Sequence, residues 1–160
     1  MRLILDATPL IHLTKAGFHI YFDKFDVELV TTGEVLKEVL IEDFPENDAI
    51  KKLVDSEKIK IENPRQIKSG VKGAHAGEMS VVSLSAETNS TAIIDDELGR
   101  AYARGLGIEV FHSTFLIIRA MAKGIINKRD AVKFIDRMIS NGWRCDVETY
   151  KEIRSKIEER

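Results

Sequence analysis

Five carboxylates stand at positions where their bland uses are hard to exhaust. Asp6 closes the apolar run Leu3-Ile4-Leu5, and Asp95-Asp96 close another, Thr91–Ile94. Glu38 lies four residues after Glu34 on an apparent helix, and Glu78 falls in the first turn of a further helix, behind His75-Ala76-Gly77. Oxygen ligands without cysteine or a histidine pair suit hard divalent ions, Mg²⁺ or Mn²⁺. Such an ion clamps phosphoryl oxygens and activates water for in-line attack on a phosphodiester. Each acid also has a simpler use. Asp95 or Asp96 can cap the helix at Glu97, Glu78 can complement a helix N-terminus, and Glu38 can be a solvated face residue. Asp6 is hardest to explain away, because Thr8-Pro9 already supplies an N-cap and a first helical residue. Only the set is informative.

The elements that must hold these acids are short apolar runs alternating with stretches of helical period, the pattern of an α/β fold with a mainly parallel sheet. Strands are expected at Leu3–Leu5, Val27–Val30, Lys58–Ile61 (at an edge), Thr91–Ile94 and Ile108–Phe111. Helices are expected at Pro9–Ala16, from the Thr31-Thr32-Gly33-Glu34 capping box to about Ile41, from Pro45 to about Ser56, and at Ala76–Glu87 and Asp96–Arg104. Thr114–Lys123 and Lys128–Ser140 read as a pair joined at Gly124, and a polar helix closes the chain near Glu148–Glu159. Phe18–Phe25 is left open between helix and loop, and Asn63–Gly73 reads as an exposed loop. In such a sheet ligands sit outside the carboxyl ends of the strands, where the strand order reverses. Acids at two strand ends can therefore face one crevice.

Composition narrows the class. The 160 residues are 44% apolar and 31% charged, which fits one globular domain rather than a disordered or fibrous chain. The acidic motifs occupy about residues 1–125, with a helical extension over 126–160. No apolar run has the length of a membrane span, and the first residues lead straight into the fold without the look of a signal peptide. The single Cys145 excludes an internal disulfide and agrees with a reducing cytoplasm. A net charge of −2 gives no global pull toward nucleic acid, so any basic surface must be local. Lys123, Lys128, Arg129, Lys133 and Arg137 can form such a face or a solvated helix surface.

The ordered segments DATPLIHL (Asp6–Leu13), TGEVLKEVL (Thr32–Leu40), GEMSVVSLSAE (Gly77–Glu87) and IIDDELGRAYARGLGI (Ile93–Ile108) resemble the PIN-domain nucleases, in the small prokaryotic branch related to VapC-type toxins. The resemblance implies a PIN-like three-layer α/β/α sandwich with a mainly parallel central sheet flanked by helices. It also implies Mg²⁺- or Mn²⁺-dependent cleavage of RNA by an acidic cluster. Position by position, Asp6 matches the first acid, Glu38 the glutamate of the second motif, and Glu78 a site where many relatives have aspartate. The last acid falls in Asp95-Asp96. Catalysis is thus expected from Asp6, Glu38, Glu78 and Asp96, with metal held by Asp6, Glu78, Asp95 and Asp96. The family's T-x-D pattern favours Asp96 as the ligand and leaves Asp95 as the N-cap or an acid behind it. Thr8 matches a small hydroxyl residue near the metal. Arg100 can bind phosphate or pair with an acid. Glu34 belongs to the capping box.

The resemblance further suggests an RNA substrate, an antitoxin partner and a homodimer, for which Phe115, Leu116, Ile118 and Met121 are candidate interface residues. His12, His19, His75 and His112 lack metal-ligand spacing. Ser83 and Ser85 have no triad partners, and Gly70–Gly73 is too short for a phosphate loop. Trp143 is expected to pack the tail onto the core. Two other functions compete. A phosphoacceptor module would need its acid pair at the first strand end and a lone Asp midway, which this chain lacks. A non-catalytic PIN-fold interaction protein would not need all four acidic positions filled.

Overall fold

The computed structural model describes residues 1–68 and 75–159. Its centre is a five-stranded parallel sheet, in the order β3-β2-β1-β4-β5. The strands are β1 (Arg2–Leu5), β2 (Glu28–Thr31), β3 (Lys60–Ile61), β4 (Thr91–Ile93) and β5 (Val110–Phe111). A parallel sheet is covered on both faces, so its inner strands are apolar without alternation. Leu3, Ile4 and Leu5 are all fully buried, as are Ala92 and Ile93. The edge strand β3 differs: Ile59 just before it is buried and Ile61 is 45% exposed.

The helices are α1 (Ala7–Lys15), α2 (Gly33–Val39), α3 (Asn47–Asp55), α4 (Ala76–Thr88), α5 (Glu97–Gly105), α6 (Thr114–Ala122), α7 (Lys128–Ser140) and α8 (Val147–Glu158). The segment left open in the sequence is a 3₁₀ helix, Phe18–Lys24. Its Phe18 and Tyr21 meet Phe134 of α7 with ring centroids 5.3 and 5.7 Å away. Ile153 and Ile157 of α8 join the same buried cluster as Leu3 and Ile4. The C-terminal helices therefore pack on the core that carries β1. Among the described residues no helix is long and apolar enough to cross a membrane.

Two helix starts differ from the expected ones. α1 begins at Ala7, and its N-cap position is Asp6, not Thr8. Leu10 N–H reaches the Asp6 carbonyl at 3.2 Å, which closes the first turn two residues early. Pro9 then sits at the third helical position, still among the N–H groups that have no partner inside a helix. α2 is capped by Thr32, whose Oγ1 accepts from Val35 N–H at 3.2 Å. That places Glu34 one residue short of a capping box, and it pairs with Lys37 instead. Thr31 is still on the strand and donates its hydroxyl to the Leu5 carbonyl at 2.9 Å. The helix expected from Pro45 likewise begins two residues later, at Asn47.

The strand order sets the place of the site. From β1 the chain steps to β2 and β3 on one side, then returns to β4 and β5 on the other. The order reverses between β1 and β4, and a crevice opens at their carboxyl ends.

Candidate active site

Asp6 lies at that reversal. Its N–H donates to the Ile93 carbonyl at 3.1 Å, which pins it beside the end of β4. Its backbone occupies the N-cap position of α1, but its carboxylate makes no capping bond, so the acid group is spare. It is 6% exposed. Burial raises its pKa to about 7; the Ala7 N–H opposes this, while the charges of Glu78, Glu38 and Asp95 add to it.

Two helix glycines bring the glutamates in. A Cβ on Gly99, in the first turn of α5, would lie 2.6 Å from the Glu78 carboxyl carbon. A Cβ on Gly77, beside Glu78 on α4, would lie 2.6 Å from Oε2 of Glu38. Each carboxylate thus rests on backbone that only glycine leaves bare. Glu78 is 9% exposed, and burial raises its pKa, with Asp96 and Glu38 adding to the rise and His75 opposing it. Glu38 is exposed at the rim. Beneath it, α2 and α4 are joined by the buried Thr32–Ser80 hydroxyl pair at 2.6 Å, and Ser80 also donates to the Gly77 carbonyl at 2.6 Å.

Of the two adjacent aspartates it is Asp96 that caps α5, and Asp95 takes the other expected place, an acid behind the turn, rather than that of a metal ligand. Asp96 is exposed and is itself the N-cap of α5, its Oδ2 accepting from Gly99 N–H at 2.8 Å. Asp95 caps nothing. Its Oδ1 accepts from Ser113 N–H at 2.8 Å and its Oδ2 from Trp143 Nε1 at 3.0 Å. Both oxygens expected to reach a metal are held by the protein on the β5 side. Burial raises the Asp95 pKa against these hydrogen bonds and the charge of Arg100. Arg100, 8% exposed, gives Nη1 to the carbonyls of Ile94 and Asp95 and ties down the turn by its backbone, with no acid as ion-pair partner among the described residues. Thr8 is exposed at the second position of α1 and does not cap it.

Asp6, Glu38, Glu78 and Asp96 are therefore gathered around one strand-end crevice. The sequence reading missed Gly77, Gly99, Ser80 and Ser113. A glycine costs helix stability, so Gly77 beside Glu78 and Gly99 three residues after Asp96 were signals of close approach. Ser80 and Ser113 carried none. Among the described residues no three His, Cys, Asp or Glu side chains stand close enough to enclose an ion as they are set. The donor chemistry nevertheless fits a hard divalent cation. It is all carboxylate oxygen, and a buried acid crowded by like charges lacks only a positive partner.

The other candidates fall elsewhere. His75 is exposed ahead of α4, while burial pushes His12, His19 and His112 down, His112 to about 4. Ser83 is used structurally, accepting from Lys68 N–H at 2.9 Å. Gly70–Gly73 lies outside the described residues. On the suggested basic face, Lys133 pairs with Asp130, Lys128 donates to the Glu158 carbonyl, and Arg137 lies over Phe134. Of the suggested interface residues, Leu116 and Met121 are buried in the protein's own core, and Phe115 stacks on Phe111 with centroids 4.4 Å apart. A cavity of about 600 Å³ lined by Met1, Arg2 and Glu28 opens at the amino ends of β1 and β2 and holds none of these acids.

A doubly wound parallel sheet with a carboxylate crevice at its switch point defines an α/β protein of the kind that binds ligands at strand ends. More narrowly, the chain belongs to the PIN-domain family: the family model described as PIN domain matches residues 2–159. No curated protein matches it. Among solved structures it is similar to a PilT N-terminus domain protein from the hyperthermophilic archaeon Sulfolobus solfataricus P2, at 14% identity and a TM-score of 0.48. The match covers 72% of this chain and 90% of that one.

Proposed function

We propose that this chain is a metal-dependent endoribonuclease that cleaves RNA phosphodiesters at the carboxyl ends of β1 and β4. PIN domains are generally Mg²⁺-dependent nucleases, which supports the class. The observation that carries the reading for this chain is Asp6, a buried acid with a spare carboxylate and like charges around it. No structural use of Asp6 explains that cost, and a cation would remove it. Asp6 and Glu78 would hold Mg²⁺ or Mn²⁺, joined by Asp96, whose second oxygen is not needed for the cap. Bound there, the ion supplies Lewis-acid activation of water and neutralises charge on the phosphoryl oxygens. Glu38, exposed and without a hydrogen-bond partner among the described residues, would take a proton from the attacking water. Asp95 holds the turn that aims Asp96. A toxin role, with an antitoxin encoded beside it, is the setting we favour, in the cytoplasm; a homodimer would have to use surface other than Leu116 and Met121.

Calorimetric titration with Mn²⁺ tests the site. Saturable binding by the wild type and its loss in an Asp6→Asn, Asp96→Asn double variant are expected. Equal binding by both overturns the assignment. Cleavage of a generic RNA, dependent on Mn²⁺ and lost in the same variant, tests the activity. Metal binding without cleavage would leave a non-catalytic PIN-fold protein.

A further inference from the structure

A cavity of about 530 Å³ lies against Asp95 and the start of α5. Its walls come from the first turns of α5, the residue after β5 and the segment leading into α8. Two arginines line it. Arg100 is 8% exposed, yet its Nη1 meets neutral carbonyls and its Nε has no hydrogen-bond partner among the described residues. A guanidinium withdrawn from water with no carboxylate among its hydrogen-bond partners is costly; the nearby charge of Asp95 offsets part of that cost, and an anion would offset more. Arg144, on the opposite wall, is exposed and forms no ion pair among the described residues.

Acids also line the cavity, and two of the three are already occupied. Asp95 is held by Ser113 and Trp143. Asp146 caps α8, accepting from Thr149 N–H at 2.7 Å and from its hydroxyl at 3.0 Å. Glu97 is exposed at the rim. The balance of charge can be read at His112, a lining residue. After burial, Arg100, Arg104 and Lys156 press its pKa down, and only Asp146 opposes them among the main causes. The basic groups thus outweigh the acid at His112, while Asp95, Glu97 and Asp96 act on Arg100 itself. A cation site is not formed, since no three potential ligands group together among the described residues.

We infer that this cavity is a subsite for a backbone phosphate of the RNA, held by Arg100 and Arg144 next to the acidic crevice. The inference rests on the nuclease reading for its substrate, and it deepens that reading. One phosphate would meet the carboxylate crevice through a cation, and another of the same strand would meet guanidinium groups directly. Guanidinium suits this task because its planar fork matches phosphate oxygens.

Trp143 is the only tryptophan and lines the cavity, so its emission reports occupancy without any cleavage. The probes are a short oligouridylate, uridine and inorganic phosphate, each titrated in EDTA. The oligouridylate is expected to give a saturable change and uridine none. Arg144→Ala, whose side chain is exposed and whose fold is checked by its melting curve, should bind about tenfold more weakly, and Arg100→Lys likewise. The slope of log affinity on log salt should fall by about one in Arg144→Ala. Wild-type affinity in both variants overturns the subsite, and a response to inorganic phosphate alone reduces it to an adventitious anion. Failure of the nuclease reading shows separately, as a wild type that binds the oligomer but does not cleave RNA with Mn²⁺.

Discussion

The ends of β1 and β4 are adjacent in the sheet, and each is followed by an acid removed from water. They differ in what surrounds the carboxylate. Asp95 has a hydrogen-bond donor for each oxygen, a backbone N–H from Ser113 and the indole N–H of Trp143. Asp6 has its oxygens free of side-chain donors among the described residues and three acids in its field. An acid with a donor for each oxygen serves the architecture, whereas one crowded by like charges is a place where a bound cation would release free energy. Asp6 is buried and Asp95 partly so, a strand apart, and their surroundings differ in kind. The distinction comes from their partners and not from their residue type.

The comparison breaks most sharply at Asp6. Asp6→Asn is expected to lower Mn²⁺-dependent RNA cleavage about a thousandfold, some 4 kcal/mol of barrier, while leaving the protein folded. An active Asp6→Asn variant would show that the unsatisfied acid is not the working one.

The same acid gives the metal-free protein an inverted pH dependence. Below about pH 4 Asp6 is protonated folded and unfolded alike, and its environment costs nothing. As pH rises the unfolded chain ionises first, while the folded carboxyl stays protonated until about pH 7. This contribution to stability is lost across that window, to the extent of about 2–4 kcal/mol. In EDTA, Asp6→Asn should therefore match the wild type near pH 4 and exceed it at pH 8 in urea unfolding. A variant no more stable at pH 8 would mean that Asp6 is already satisfied.

Asp95 should behave in the opposite way. In Asp95→Asn the amide nitrogen must face one of two donors, Ser113 N–H or Trp143 Nε1, leaving a buried donor unpaired at about 2–3 kcal/mol. Trp143→Phe keeps an aromatic ring but loses the bond to a charged acceptor and the packing of the larger indole, about 2–3 kcal/mol in all. Both losses should appear in metal-free unfolding. Stability of the Asp95→Asn variant equal to the wild type would remove the contrast with Asp6.

The smallest effect sharpens the geometry. Gly99→Ala improves helix propensity by up to about 1 kcal/mol but forces the mobile end of Glu78 aside. Net stability should move by about 0.5 kcal/mol or less, and Mn²⁺ affinity should fall about tenfold by calorimetry. Unchanged affinity would place Glu78 outside the ligand set.

The sequence by itself determined the sheet and its helices. Leu3–Leu5 and Thr91–Ile94 read correctly because a parallel strand buried on both faces must be largely apolar, a requirement visible in the three consecutive letters Leu3-Ile4-Leu5 and Ala92-Ile93-Ile94. Thr114–Lys123 and Lys128–Ser140 were visible as helices through their apolar period; Asp6, Glu78 and Asp95-Asp96 stood out by their place at strand ends and a first turn, and Glu38, near the end of α2, only by the resemblance. Caps were misjudged by one or two residues, because Asp6, Thr8, Thr31 and Thr32 are all good capping types and the choice depends on where the sheet releases the chain. What only the tertiary structure decided was the direction of each carboxylate. Asp95 is turned by Ser113 and Trp143, 18 and 48 residues away, and Glu78 is seated by a glycine on another helix. Local sequence sets backbone preference through nearest neighbours. A side chain at a strand end is free of those neighbours and takes its orientation from groups that folding brings to it.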